Sequence, residues 1–148
     1  MRIALGADDS TRVVDAIAEF LSGAGHEVAR YGKAAGENEA WGETARRVAE
    51  AVTDGQAEIG VVCCWTGTGV SMAANKVPGA RAALCVDAET ARGARKYNDA
   101  NVLALSLRLT TEEVAKEILR AFLAEPYDKS EDESLAVLSA LDARRPES

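Results

Sequence analysis

Histidine is almost absent from this chain, and its scarcity removes several kinds of chemistry at once. One histidine, His26, stands among 148 residues. It has no ligand-spaced companion and no Cys-x-x-Cys pair occurs, so no zinc site is expected. The three cysteines, Cys63, Cys64 and Cys85, form an odd set. Cys63 and Cys64 point to opposite faces of a strand, so a bridge between them would be strained. A reducing, cytoplasmic compartment is the expectation. Positive charge is also in deficit, with 17 Lys and Arg against 24 Asp and Glu, a net charge of −7. Such a surface repels phosphate backbones, so no nucleic-acid partner is expected, and an anionic substrate would need a local positive pocket. No stretch approaches the roughly 18 apolar residues of a membrane span. Met1-Arg2 leads straight into a strand-like segment, without the form of a signal peptide.

What is present is an ordinary globular composition, 47% hydrophobic and 28% charged. A chain of this length can bury a core without staples, and a single domain over residues 1–148 is expected. Strand and helix patterns alternate. Ile3-Ala4-Leu5 is a first strand; Val13, Val14, Ile17, Phe20 and Leu21 fall on one helical face. Residues 27–31 are a second strand, and Ala45, Val48, Ala49 and Val52 mark a second helix. Residues 59–64 read as a fully buried central strand. Residues 67–75 read as a glycine turn and short helix, 82–86 as a fourth strand, 88–97 as a helix and 102–105 as a fifth strand. Thr110-Thr111-Glu112-Glu113 has the form of a capping box, opening a helix with Val114, Ile118, Ala121 and Phe122 inward. A C-terminal helical extension over about residues 126–148 carries Leu135, Leu138 and Leu141 on one side.

This alternation predicts a doubly wound, Rossmann-like α/β fold: five parallel strands, helices on both faces and right-handed crossovers. Ligands in such folds sit at the carboxyl ends of the strands. Those ends carry Asp8 and Asp9, Cys64 with its glycine loop, Asp87, and residues 106–108.

The loop Cys64-Trp65-Thr66-Gly67-Thr68-Gly69-Val70-Ser71 is the most informative stretch. Closely spaced glycines entering a helix let backbone N–H groups approach a bound oxygen, and the helix N-terminus favours negative charge there. The same dipoles favour the thiolate of a cysteine at that place. Enolisation of a hydroxy-carbonyl compound needs this pairing: a base for the carbon-bound proton and donors for the enediolate oxygen. Burial is the competing reading of Cys64, because cysteine is among the most buried residue types. A dinucleotide fingerprint fits poorly, since Met72 occupies its third glycine position, and no P-loop lysine follows the glycines.

Residues 64–85, from Cys64-Trp65-Thr66-Gly67-Thr68-Gly69 through Ala73-Ala74-Asn75-Lys76 to Gly79-Ala80-Arg81-Ala82-Ala83-Leu84, resemble the central signature of the ribose-5-phosphate isomerase B and galactose-6-phosphate isomerase family. Asn98-Asp99-Ala100-Asn101-Val102-Leu103 is similar to a second block of that family, and residues 3–8 to its first strand and turn. The resemblance runs from Met1 to about Leu123. It implies a cofactor-independent aldose–ketose isomerase in which Cys64 shuttles a proton between carbons 1 and 2. The amides of Thr66, Gly67, Thr68 and Gly69 would steady the enediolate. Some family members use a glutamate at the position held here by Val70. Asp8 would bind sugar hydroxyls, Asn98 would lie beside the sugar, and Arg108 matches a phosphate contact. A sugar or sugar phosphate is the implied partner, with a homodimer or homotetramer whose sites are shared between subunits.

Departures from the family pattern bear on the substrate. Asp9 stands where the family has histidine, and Tyr97 where it has the histidine of ring opening; either is a candidate for that proton traffic, with a packing role for Tyr97 the alternative. Trp65 follows the cysteine in place of a small residue, and Trp41 falls near the family's active-site tyrosine. Both indoles could wall the sugar or simply fill space. Family arginines that clamp phosphate fall, on an ungapped count, at Glu131 and Leu135. Repulsion there predicts a non-phosphorylated sugar, or one bearing its anionic group elsewhere. No metal or organic cofactor is implied. Two other classes compete. A receiver domain would need an aspartate at Cys64 and a lysine at Ser106. A non-catalytic sugar-binding or partner subunit fits the missing phosphate groups but not the intact cysteine and loop.

Overall fold

The computed structural model describes residues 1–144. Its centre is one sheet of five parallel strands in the order β2-β1-β3-β5-β4. The strands are β1 (Arg2–Ala7), β2 (Glu27–Gly32), β3 (Ile59–Cys64), β4 (Ala82–Leu84) and β5 (Val102–Ser106). The helices are α1 (Arg12–Gly23), α2 (Trp41–Thr53), α3 (Thr68–Asn75), α4 (Ala88–Asn98), α5 (Glu112–Ala124) and α6 (Asp132–Ala143). The doubly wound fold expected from the alternation is the one observed. No helix among the described residues is long and apolar enough to cross a membrane.

Side-chain alternation along the strands divides the core in two. Ile3, Leu5, Ile59, Val61, Cys63, Leu103 and Leu105 point to one face, where they meet α1, α4 and α5. Ala4, Val62, Cys64, Val102 and Ala104 point to the other, against α2 and α3. Small residues bring α2 close. A Cβ on Gly6 would stand 2.8 Å from a Val48 methyl, and one on Gly60 would meet another Val48 methyl at 2.8 Å. The edges are protected differently. β2 exposes Glu27, Ala29 and Arg30, and charge discourages further pairing. β4 is only three residues long. The Asn75 side chain closes it, donating to the Ala82 carbonyl at 2.9 Å and accepting from the Ala82 amide at 2.8 Å.

Two departures from the expected boundaries have a clear local cause. The cap of α5 is Thr111, whose hydroxyl accepts from Val114 N–H at 3.2 Å. The third helical position is therefore valine, and no reciprocal glutamate completes a capping box. Thr110 is buried, with its own amide bonded to the Ser106 carbonyl. The fourth strand stops at Leu84 rather than Val86, because Asp87 already caps α4 by accepting from Thr90 N–H at 2.7 Å. The final helix forms as α6 but buries none of its residues. Val137, Leu138 and Leu141 are exposed. Asp142 ties it to the body by accepting from Gly79 N–H at 2.9 Å. Of the basic pair at the end of the tail, Arg144 is described and Arg145 lies outside the described residues.

Candidate active site at the carboxyl edge of the sheet

Cys64 is the last residue of β3, registered beside Ser106 of β5. Cys64 as a residue retains 5% exposure, whereas its neighbour Cys63 is fully enclosed on the opposite face. Burial pushes the Cys63 thiol up to about 12 and the Cys85 thiol up to about 11. The Cys64 sulfur accepts a hydrogen bond from Gly67 N–H at 3.2 Å.

That amide is aimed by an unusual backbone. Gly67 has φ 78°, and a Cβ there would stand 2.6 Å from a Leu84 methyl and 2.9 Å from the β5 backbone at Leu105. Only glycine accommodates both the left-handed conformation and the contact. Gly67 is also the N-cap of α3 and offers no side chain to its first turn. The leading amides of that helix are thus left for another acceptor. Thr66 and Thr68 stand exposed, their hydroxyls 2.8 Å apart.

The loop is bolted to the turn after β5. Trp65 carbonyl accepts from Arg108 N–H at 2.9 Å and from the Ser106 hydroxyl at 3.0 Å, and Leu107 N–H donates to the Cys64 carbonyl at 2.9 Å. Ser106 also accepts from Leu109 N–H at 3.2 Å, so this buried hydroxyl joins the two loops. Arg108 is exposed at the same edge. From β1, Asp8 donates its amide to the Cys63 carbonyl at 3.2 Å. Burial, and then the neighbouring Asp9 charge, hold the Asp8 carboxyl above its usual range. Asp9 is exposed and accepts from Ser10 N–H. Trp65 is 59% exposed and Trp41 48%. The six-membered ring of Trp41 lies close to Gly69, where a Cβ would come within 3.1 Å of it.

Asp8, Asp9, Trp41, Cys64, Trp65, Thr66, Gly67, Thr68, Gly69 and Arg108 therefore gather at one edge. Tyr97 and Asn98 do not. They end α4, which begins at the carboxyl edge after β4 and runs back to the amino edge. Asp99, the next residue, is held there by Arg81, which donates to its carbonyl at 2.7 Å just before β4 begins. Glu131 and Leu135 open α6 in the same amino-edge region, reached through Asp128 N–H bonded to the Lys96 carbonyl. A cavity of about 440 Å³ between α6 and the amino end of β4 includes Asn98 in its lining.

A network not anticipated from sequence lies beside Trp41. The fully buried Thr44 donates to Glu39 at 2.7 Å, and Arg47 donates to the other oxygen of Glu39 at 2.7 Å. Glu37 accepts from Gly32 N–H at 3.2 Å and from Arg47 at 3.4 Å. No fixed spacing announces such a cluster, because its members straddle a loop and a helix start. Among the described residues no group of His, Cys, Asp and Glu could hold a metal ion.

Fold and loop together define a Rossmann-like α/β protein whose candidate site lies at the carboxyl end of its central strand. The Ribose/Galactose Isomerase profile matches residues 3–137. The chain is 34% identical to ribose-5-phosphate isomerase B of Escherichia coli (strain K12), over 97% of this chain and 98% of that one. It is 38% identical to D-erythrulose-4-phosphate isomerase of Pectobacterium atrosepticum, over 86% of each. The solved structure of ribose-5-phosphate isomerase B from Clostridium thermocellum superposes with a TM-score of 0.91 at 35% identity, covering 97% of this chain and 99% of that one. The chain belongs to the ribose/galactose isomerase family, and it is an aldose–ketose isomerase of that family.

Proposed function

We propose that this enzyme interconverts an aldose phosphate and a ketose phosphate, with Cys64 as the base that carries a proton between carbons 1 and 2. The thiolate takes the carbon-2 proton of the open-chain aldose, an enediolate forms, and the thiol, whose proton exchanges with solvent while the intermediate lives, protonates carbon 1. Amides of Thr66, Thr68 and Gly69, beside the Gly67 amide that serves the sulfur, stabilise the oxyanion. The observation that carries this reading is the Gly67 N–H donated to the Cys64 sulfur at 3.2 Å, at a helix start that no side chain caps. Base and cradle are thereby fixed side by side.

Asp8 binds substrate hydroxyls, and its upward-shifted carboxyl suits contact with a neutral diol. Names of relatives spanning most of the chain specify sugar phosphates, which favours a phosphorylated substrate over a free sugar. Its phosphate is bound away from Glu131 and Leu135, with Arg108 an exposed cation at the carboxyl edge. The separation of Tyr97 and Asn98 from Cys64 within one chain supports a dimer in which each copy lends these two residues to the other's site. Tyr97 of the second copy, or Asp9, then handles the hydroxyl proton.

The test is solvent exchange with a substrate panel: ribose 5-phosphate, D-erythrulose 4-phosphate, galactose 6-phosphate and the matching free sugars, each in deuterium oxide. Deuterium should enter carbon 2 of an aldose phosphate or carbon 1 of a ketose phosphate in the panel, and Cys64→Ser should abolish its entry. Preference for a free sugar would overturn the phosphate assignment, and binding without any exchange would identify a non-catalytic partner subunit.

A further inference from the structure

We infer that Glu39 and Arg47 are positioning residues that hold the Trp41 indole as a fixed wall over the glycine cradle, so that sugar binds against a prearranged surface. The inference rests on the isomerase reading above but concerns residues that the reading does not use.

Trp41 is the first residue of α2, and the position before it is Ala40, which supplies no capping side chain. A helix start without a cap frays, yet here the ring must rest on Gly69 within van der Waals contact. The Glu39 carboxylate supplies the missing anchor. One oxygen accepts from Thr44, buried completely between Gly6 and Gly32, and the other accepts from Arg47 one turn further along α2. Arg47 is itself fixed by Glu37 and by stacking over the Tyr31 ring, 4.9 Å from guanidinium carbon to centroid. Three side chains of α2 and its leading loop thus set the angle at which Trp41 leaves the helix. Without them the indole, already 48% exposed, would sample other rotamers and would have to be ordered at each binding event.

The prediction is a rise in KM with kcat retained. Glu39→Gln keeps an oxygen for Thr44 but loses the charge on Arg47, and Arg47→Gln breaks the same pair from its outer side. Each should raise KM about two- to tenfold, the range expected for ordering one large side chain on binding. In a Trp65→Phe background, where Trp41 is the remaining indole, both should red-shift its emission and lower its anisotropy. The decisive measurement is a double-mutant cycle: with Trp41→Ala in place, Glu39→Gln should have no further effect on KM. An equal KM effect with or without the indole would overturn the inference, as would unchanged Trp41 emission in folded variants. If Glu39→Gln does not fold, Arg47→Gln carries the same cycle. Substrate turnover surviving in Cys64→Ser would instead remove the isomerase mechanism, a separate outcome.

Discussion

Three thiols in one small protein differ in what surrounds each sulfur. Cys64 has residual access and an amide donor; Cys63 and Cys85 have neither, and burial keeps both protonated at neutral pH. Limited alkylation at pH 8 should therefore label Cys64 first, read by peptide mass spectrometry, and activity should fall in step with that label. Replacing the sulfur by Cys64→Ser should lower turnover by about 10²-fold or more, the scale of positioned general-base catalysis. Gly67 presents a steric limit. Gly67→Ala forces an L side chain into a left-handed conformation against Leu84 and the β5 backbone, and a loss of about 1 kcal/mol or more in chemical denaturation is expected. Asp8 shows a pH effect of definite sign. Its folded-state value is raised, so the ionised form costs stability at neutral pH, and that cost vanishes once pH falls below the ordinary value of 3.8. Asp8→Asn should accordingly raise Tm at pH 7 and lose this advantage as acid is added, while weakening substrate binding.

At the scale of elements, the short edge strand and the caps carry testable weight. Asn75→Leu removes both side-chain bonds to Ala82 and leaves β4 an open edge; unfolding should cost about 1–2 kcal/mol less. Thr111→Ala should lose about 1 kcal/mol and Thr110 should contribute no cap of its own. These elements also show what could be read from sequence. β3 was fully legible, because a run of six residues buried on both faces has a composition that admits little else. The end of β4 was not, because Cys85 and Val86 are apolar while the chain has already turned toward the Asp87 cap. The Thr-Thr pair before α5 was ambiguous by one residue, since either hydroxyl could cap and only packing of Thr110 decides. The glycine loop and its cysteine were legible from spacing joined to resemblance. The Glu39, Thr44 and Arg47 cluster was hidden because tertiary proximity across a loop leaves no periodic trace.

For the molecule as a whole, the residues assigned to substrate fall into two sets at opposite edges of one sheet. A single chain holds Cys64 and its cradle at one end, and Tyr97 and Asn98 at the other. In the dimer proposed above, two-fold pairing of copies would bring unlike edges together. Co-expression of Cys64→Ser with Asn98→Ala should then restore activity that neither variant has alone, to about a quarter of normal when subunits assort at random. Absence of recovery in isolated mixed dimers would place each site within one chain. The acidic surface, net −7, leaves recruitment of an anionic substrate to local cations such as Arg108, and raising ionic strength should weaken binding only modestly.

The pleat of β3 has one more effect. Because successive residues face opposite ways, the Cys64 sulfur has no second thiol in its own compartment, Cys63 and Cys85 both being sealed on the far side of the sheet. Peroxide attack on Cys64 would therefore yield a sulfenic acid with no internal resolving group, free to proceed to irreversible forms. Protection must come from outside, as a small-molecule thiol that captures the oxidised atom and releases it on reduction.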